Sequence, residues 1–107
     1  RFLRAEDAGQ RAEAAEALGA IALEDTGRAE ILRVGGVPPL VRYLRAGTAR
    51  ERAAAATTVA RIAMTEDGRQ AAVDADAAVP LAELLNAATS EERTGAARAI
   101  AALVFDA

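Results

Sequence analysis

Shifted by 41 residues, this chain of 107 falls on itself without a gap. Leu3 meets Leu44 and Leu85, and Arg11 meets Arg52 and Arg93. Ala14-Ala15 meets Ala55-Ala56 and Ala96-Ala97; Ile21-Ala22 meets Ile62-Ala63 and Leu103-Val104. Gly27-Arg28 meets Gly68-Arg69, and Pro39-Leu40 meets Pro80-Leu81. Chance similarity does not hold one register along a whole chain. Periods of roughly 20 to 50 residues belong to stacked supersecondary units, each burying its apolar face against its neighbours. The chain is therefore a single array fragment: a partial repeat over residues 1–26, then repeats over 27–67 and 68–107.

Composition decides the kind of element that repeats. Alanine fills 31 positions; it is the best helix former, and its small side chain lets helices approach closely. β-branched residues are few and scattered, so an all-α protein is predicted. Three helices fit in each period. The longest starts near Gln10, Glu51 and Glu92, behind a capping box repeated as Asp7-x-x-Gln10, Thr48-x-x-Glu51 and Thr89-x-x-Glu92. In the middle copy Ala55, Ala56, Val59, Ile62 and Ala63 form one stripe of a 3.6-residue helix. A short helix is predicted over 28–34 and 69–75, following the Gly27 and Gly68 turns, with Ile31, Leu32 and Val73 on its apolar side. Gly35-Gly36 ends its first copy, as residues tolerant of the left-handed region do; Asp76-Ala77 stands there in the second. Pro38-Pro39, then Pro80, open the next helix, where a missing N–H costs nothing. Its apolar residues are Leu40, Val41, Tyr43 and Leu44, or Leu81, Leu84 and Leu85, and Gly47 stops the first copy.

Absent residue types narrow the chemistry. Without cysteine there is no disulfide, thiolate zinc site or thiol nucleophile. Without histidine the usual metal ligand and neutral-pH base are missing. All thirteen basic residues are arginine, and Ser90 and Tyr43 are the sole serine and tyrosine. Most mechanisms need acid–base pairs or activated nucleophiles that this set lacks. We therefore expect no enzyme, no metal and no cofactor. The pairs Glu24-Asp25, Glu66-Asp67 and Glu91-Glu92 lack the spacing of a calcium loop. They fall near predicted helix starts, where negative charge offsets the helix dipole. Asp74-x-Asp76 reads as a helix end. Gly35-Gly36 is not a phosphate loop, because no lysine or serine follows and no strand precedes it. Sixteen acids against thirteen arginines give a net charge of −3 with the signs interleaved, and only Phe2, Tyr43 and Phe105 are aromatic. That pattern points away from nucleic acid. No apolar run is long enough for a membrane span, and no charged-then-apolar leader opens the chain. The expected location is intracellular, in cytoplasm or nucleus, with no membrane insertion.

The stretch RVGGVPPLVRYLRAGT over 33–48 resembles the second-helix signature of the armadillo repeat family. EALGAIAL over 16–23 and RAIAALVF over 98–105 resemble its third-helix ending. The resemblance implies a right-handed solenoid of three-helix repeats whose third helices line a concave groove that binds partner proteins. Such a protein is a non-enzymatic interaction or scaffold module. GTARERAAAATTVARIA over 47–63 is also similar to the armadillo arrays of plant U-box ubiquitin ligases. The alternative implied is a substrate-recognition segment of a larger enzyme. In importin-α-like members an asparagine recurs on the third helix, with a tryptophan four residues earlier. The matching positions are Ala20, Arg61 and Ala102, and Glu16, Thr57 and Arg98. Neither ladder is present, so recognition of basic import peptides is not implied.

If Ala14, Ala15, Leu18, Ile21 and Ala22 face the core, helical spacing turns Glu13, Glu16 and Ala20 outward. The same phase exposes Ala54, Thr57 and Arg61, then Gly95, Arg98 and Ala102. The resemblance places this face on the groove. The candidate partner-binding residues are Glu13, Glu16, Thr57, Arg61 and Arg98, acidic in the first unit and basic in the next two. Arginine suits bidentate capture of carboxylates. The expected partner is a protein or peptide segment of mixed charge, with adjacent repeats of a longer solenoid beside it. Tyr43 shares a column with Phe2 and Leu84 and reads as packing. Because about three repeats are needed for stability, the isolated chain is expected to be marginal, or to associate end to end through Phe2 and Leu3 or Leu103 and Phe105.

Overall fold

The computed structural model describes residues 7–104 and holds them in seven helices, with no strand among the described residues. These are α1 (Ala8–Ile21), α2 (Asp25–Arg33), α3 (Val37–Ala46), α4 (Ala49–Ile62), α5 (Glu66–Asp74), α6 (Ala78–Leu84) and α7 (Ser90–Val104). Equivalent helices begin 41 residues apart, at Ala8, Ala49 and Ser90, at Asp25 and Glu66, and at Val37 and Ala78. The long helices form one layer, with α4 between α1 and α7. The second helices form another, α3 against α4 and α6 against α7, while α5 touches α2, α3 and α7.

The three capping sites act where the spacing put them. Asp7 accepts from the Gln10 amide at 2.8 Å, Thr48 and Glu51 cap reciprocally, and Thr89 Oγ1 accepts from the Glu92 amide at 3.2 Å. Such a cap contributes about 1 kcal/mol. The long helices consequently begin immediately after the caps, two residues earlier than expected.

The short helices begin three residues earlier than expected, so Gly27 and Gly68 lie in their first turns. The Thr65 side chain caps the second copy by accepting from the Gly68 amide at 3.0 Å. A Cβ on Gly68 would stand 1.8 Å from the Ile62 carbonyl oxygen, and one on Gly27 would stand 1.9 Å from that of Ile21. Close approach to the end of the preceding helix, not turn geometry, requires glycine there. Both short helices end in a Schellman motif. Gly35 has φ +72°, with the Gly36 amide donating to the Ile31 carbonyl at 2.9 Å. Asp76 takes the same place at φ +61°, with the Ala77 amide donating to Ala72 at 3.1 Å.

The predicted stripe Ala55, Ala56, Val59, Ile62 and Ala63 is wholly buried, joined by Leu18, Ile31, Leu40, Val41, Leu44, Leu81 and Leu84. Tyr43 packs half-buried against this core, and desolvation raises its pKa, assisted by the Glu51 charge. Three expected core residues are exposed: Ile21, Val73 and Leu85. Ile62 has α2 and α3 ahead of it in its repeat, and among the described residues Ile21 has no such cover. Val73 and Leu85 occupy the places of Leu32 and Leu44, which the following repeat covers. In the second short helix Gly68 and Ala72, not Val73, are buried.

Among the described residues, two carboxylates are buried in this packing. Glu51 Oε2 accepts from Arg11 Nε at 2.9 Å and its Oε1 from the Thr48 amide at 2.9 Å. Glu92 Oε2 accepts from Arg52 Nε at 2.6 Å and its Oε1 from the Thr89 hydroxyl at 2.8 Å. Each pair ties one repeat to the next.

Candidate functional site

The layer of long helices carries a groove of about 610 Å³. From α4 it takes Ala49, Arg50, Ala53, Ala54, Thr57, Thr58 and Arg61. These lie mostly three and four residues apart, the spacing of one helical face. Glu16 and Gly19 of α1 form one side, and Thr89 and Glu91 at the start of α7 the other.

Three of the five residues predicted to meet a partner, Glu16, Thr57 and Arg61, come together here. Glu13 and Arg98 are exposed but lie outside the lining. Ala54 and Gly95, expected to face outward, are buried. The reason is that α4 is flanked on both sides: a Cβ on Gly95 would stand 3.1 Å from that of Ala56. Ala102 is half-buried.

Arg61 and Glu16 each have a partner within the fold. Arg61 Nη1 donates to the Gly19 carbonyl at 2.7 Å, across to α1. Gly19 has no side chain to obstruct it; a Cβ there would stand 3.1 Å from the same nitrogen. Beside it the buried Thr58 hydroxyl donates to the Ala54 carbonyl at 2.8 Å and lies 3.2 Å from that of Ala15. Glu16 is gripped bidentately by Arg50, Nε and Nη2 donating at 3.0 and 2.9 Å. That guanidinium holds the Glu16 carboxyl below its ordinary pKa. The Thr57 hydroxyl forms no hydrogen bond with a described residue, and Glu91 has only a long contact from Ser90 at 3.5 Å.

Sequence reasoning missed Arg50, Thr89 and Glu91 as groove residues. Arg50 was within reach, since it precedes Ala54, Thr57 and Arg61 by four, seven and eleven residues, one helical face. Thr89 and Glu91 enter only because α7 packs beside α4. The three acidic pairs lie at helix starts, Asp25 in the first turn of α2, Glu66 and Asp67 in that of α5, Glu91 and Glu92 in that of α7. Among the described residues no group of three or more histidine, cysteine, aspartate or glutamate side chains could hold a metal ion. No described helix is long and apolar enough to cross a membrane.

No protein-family model and no curated protein matches the sequence. Solved structures do. An engineered protein from the Northeast Structural Genomics Consortium superposes with a TM-score of 0.90 at 33% identity, over 94% of this chain and 42% of that one. A designed armadillo repeat protein gives a TM-score of 0.88 at 27% identity, over 94% and 43%. Another, in complex with the peptide (KR)4, gives 0.86 at 27% identity, again over 94% and 43%. The chain spans about two fifths of the length of each.

Proposed function

We infer that this chain, which is an armadillo-like helical repeat solenoid, is a non-enzymatic module that binds a protein or peptide segment along the groove over α1, α4 and α7. The observation that carries this reading is the convergence of Glu16, Thr57 and Arg61 on one groove floored by Gly19, Ala49, Ala53 and Ala54. Small side chains let a partner backbone come close, and the Thr57 hydroxyl is available to hydrogen-bond it. Two similar solved proteins support the reading, one holding (KR)4 and one designed for modular peptide recognition. The partner segment is of mixed charge. Glu13 and Glu91 favour basic groups, Arg61 and Arg98 acidic ones, and because exposed charges are screened over about 10 Å at roughly 0.1 M salt, binding weakens as salt rises.

The test selects binders from a random peptide library on the full chain and follows their amide shifts by NMR. Shifts clustered at Glu16, Thr57, Arg61 and Glu91 are expected. Shifts confined to α2, α3, α5 and α6 would overturn the groove assignment. Exchanging the exposed charges, Glu91→Arg with Arg98→Glu, should weaken binding, while Glu30→Arg with Arg33→Glu on α2 should not. Arg61 is unsuited to reversal because it ties α4 to α1. Arg28 is unsuited as a control, since it is largely buried and donates to the Ala22 carbonyl at 2.8 Å.

A further inference from the structure

Where α3 and α4 meet α6 and the start of α7, the packing leaves a cavity of about 260 Å³. We propose that this cavity takes the phenol ring of a tyrosine side chain from a partner protein. The proposal does not rest on peptide binding in the groove, and the two linings share no residue.

The first observation is that the chain fills the matching place with a ring of its own. Leu84 and Pro80 give the cavity apolar wall, and Arg45, Arg52, Glu83 and Glu92 give it charge. One repeat earlier, the residue matching Leu84 is Tyr43. Tyr43 packs half-buried against the core, and the charges acting on its hydroxyl are those of Glu51, Arg11 and Arg42. Moved on by 41 residues, those positions are Glu92, Arg52 and Glu83. All three line the cavity. A phenol thus stands in the first junction where the second has open space above the shorter Leu84.

The second observation is the size and charge of the lining. Clefts for whole small-molecule ligands run to about 300–1,000 Å³, and this cavity falls below that range, the scale of one side chain. Two guanidiniums face two carboxylates, so an anion gains no net attraction. Arg52 is already committed, its Nε to Glu92 at 2.6 Å and its Nη1 to the Gly47 carbonyl. Glu92 in turn accepts from the Thr89 hydroxyl at 2.8 Å. The exposed Glu83 carboxylate forms no ion pair with a described residue. It stands at the place of Arg42, an acceptor where the first junction has a donor, and a phenolic O–H can donate to it. Arg45 donates to the Asp76 carbonyl at 3.3 Å and is otherwise exposed. Its guanidinium supplies the cation that stacks on an aromatic face.

The test titrates N-acetyl-tyrosinamide into the full chain and follows backbone amide and arginine Nε–H signals by NMR. Shifts are expected at Leu84, Ala87, Ala88 and the Arg52 Nε–H. N-acetyl-phenylalaninamide, the same ring without the hydroxyl, should bind more weakly, and Glu83→Ala should erase that difference. Arg45→Ala should weaken binding about two- to fivefold, the size of one exposed cation–π contact. Leu84→Tyr gives the second junction the ring that the first one has. It should raise the urea midpoint and abolish the shifts. Shifts that survive Leu84→Tyr overturn the proposal, as does a lower midpoint in that variant. Equal binding of the two amides overturns it too, and so do shifts confined to the groove or no shifts at the solubility limit of the tyrosine amide.

Discussion

Glu51 and Glu92 are carboxylates that the fold buries and keeps charged. Burial by itself would raise the pKa of either. For Glu51 the Thr48 amide, the Arg11 guanidinium and the Thr48 hydroxyl outweigh it; for Glu92 the Arg52 guanidinium and the Thr89 hydroxyl do so, and both pKa values are lowered. Removing one member of such a pair strands the other. Glu51→Ala is expected to cost roughly 2–3 kcal/mol by urea denaturation. Arg33→Ala breaks only the exposed pair with Glu30 on α2 and should leave the midpoint unmoved. The pH dependence follows from the same groups. A carboxyl whose folded pKa lies below its unfolded value of about 4.3 stabilises fully above that value, and the contribution is lost as pH falls through the folded pKa. The urea midpoint should therefore hold from neutrality to about pH 5 and fall below it. Glu51→Gln should flatten that fall; an equally steep loss in the variant would show that other groups control acid unfolding.

At the scale of the element, the short helices are set by two glycines of different kinds. Gly68 is required by contact: any Cβ meets the Ile62 carbonyl, which is backbone and cannot yield without moving α4. Gly35 is required by conformation: φ is +72° but the space around it is open. Gly35→Ala should cost about 1–2 kcal/mol, the ordinary penalty of the left-handed region. Gly68→Ala should cost more, because α5 must separate from the end of α4. Asp76 bears the left-handed conformation without being glycine. Asp76→Gly should stabilise by up to about 1 kcal/mol. Thermal melts of the three variants give the order; a Gly35→Ala loss exceeding that of Gly68→Ala would refute the contact account.

At the scale of the whole molecule, the core is made of small residues. Among the described residues, eleven of the twenty-one buried hydrophobic ones are alanine. Each buried methylene contributes about 0.8 kcal/mol, so an alanine core stabilises far less than a leucine one. Much apolar surface also stays outside, at Ile21, Leu23, Met64 and Val104 among others. The isolated chain is expected to unfold with a stability of about 5 kcal/mol or less, the low end for a domain. Calorimetry and sedimentation check this: a sharp, concentration-independent melt at high temperature with a monomer mass would contradict it. The end-to-end contacts expected of Phe2, Leu3 and Phe105 lie outside the described residues, whereas Leu103 is half-buried against the core.

The sequence by itself determined the repeat, the all-helical elements, the three caps and the fully buried stripe of α4. These depend on contacts within four residues along one helix, and such contacts are written in the spacing of residue types. It also placed Glu16, Thr57 and Arg61 on one helical phase, which their shared groove retains. Only the tertiary structure decided which second face each helix covers. Ala54 and Gly95 share a phase with exposed residues yet are buried, because α4 has neighbours on both flanks. Val73 and Leu85 match Leu32 and Leu44 yet stay exposed, because nothing described lies beyond them. Long side chains choose partners by distance in space. Arg61 reaches a carbonyl 42 residues away, and Arg50 a carboxylate 34 residues away. No periodicity within a helix encodes those choices, because they are settled by how close one repeat stands to the next.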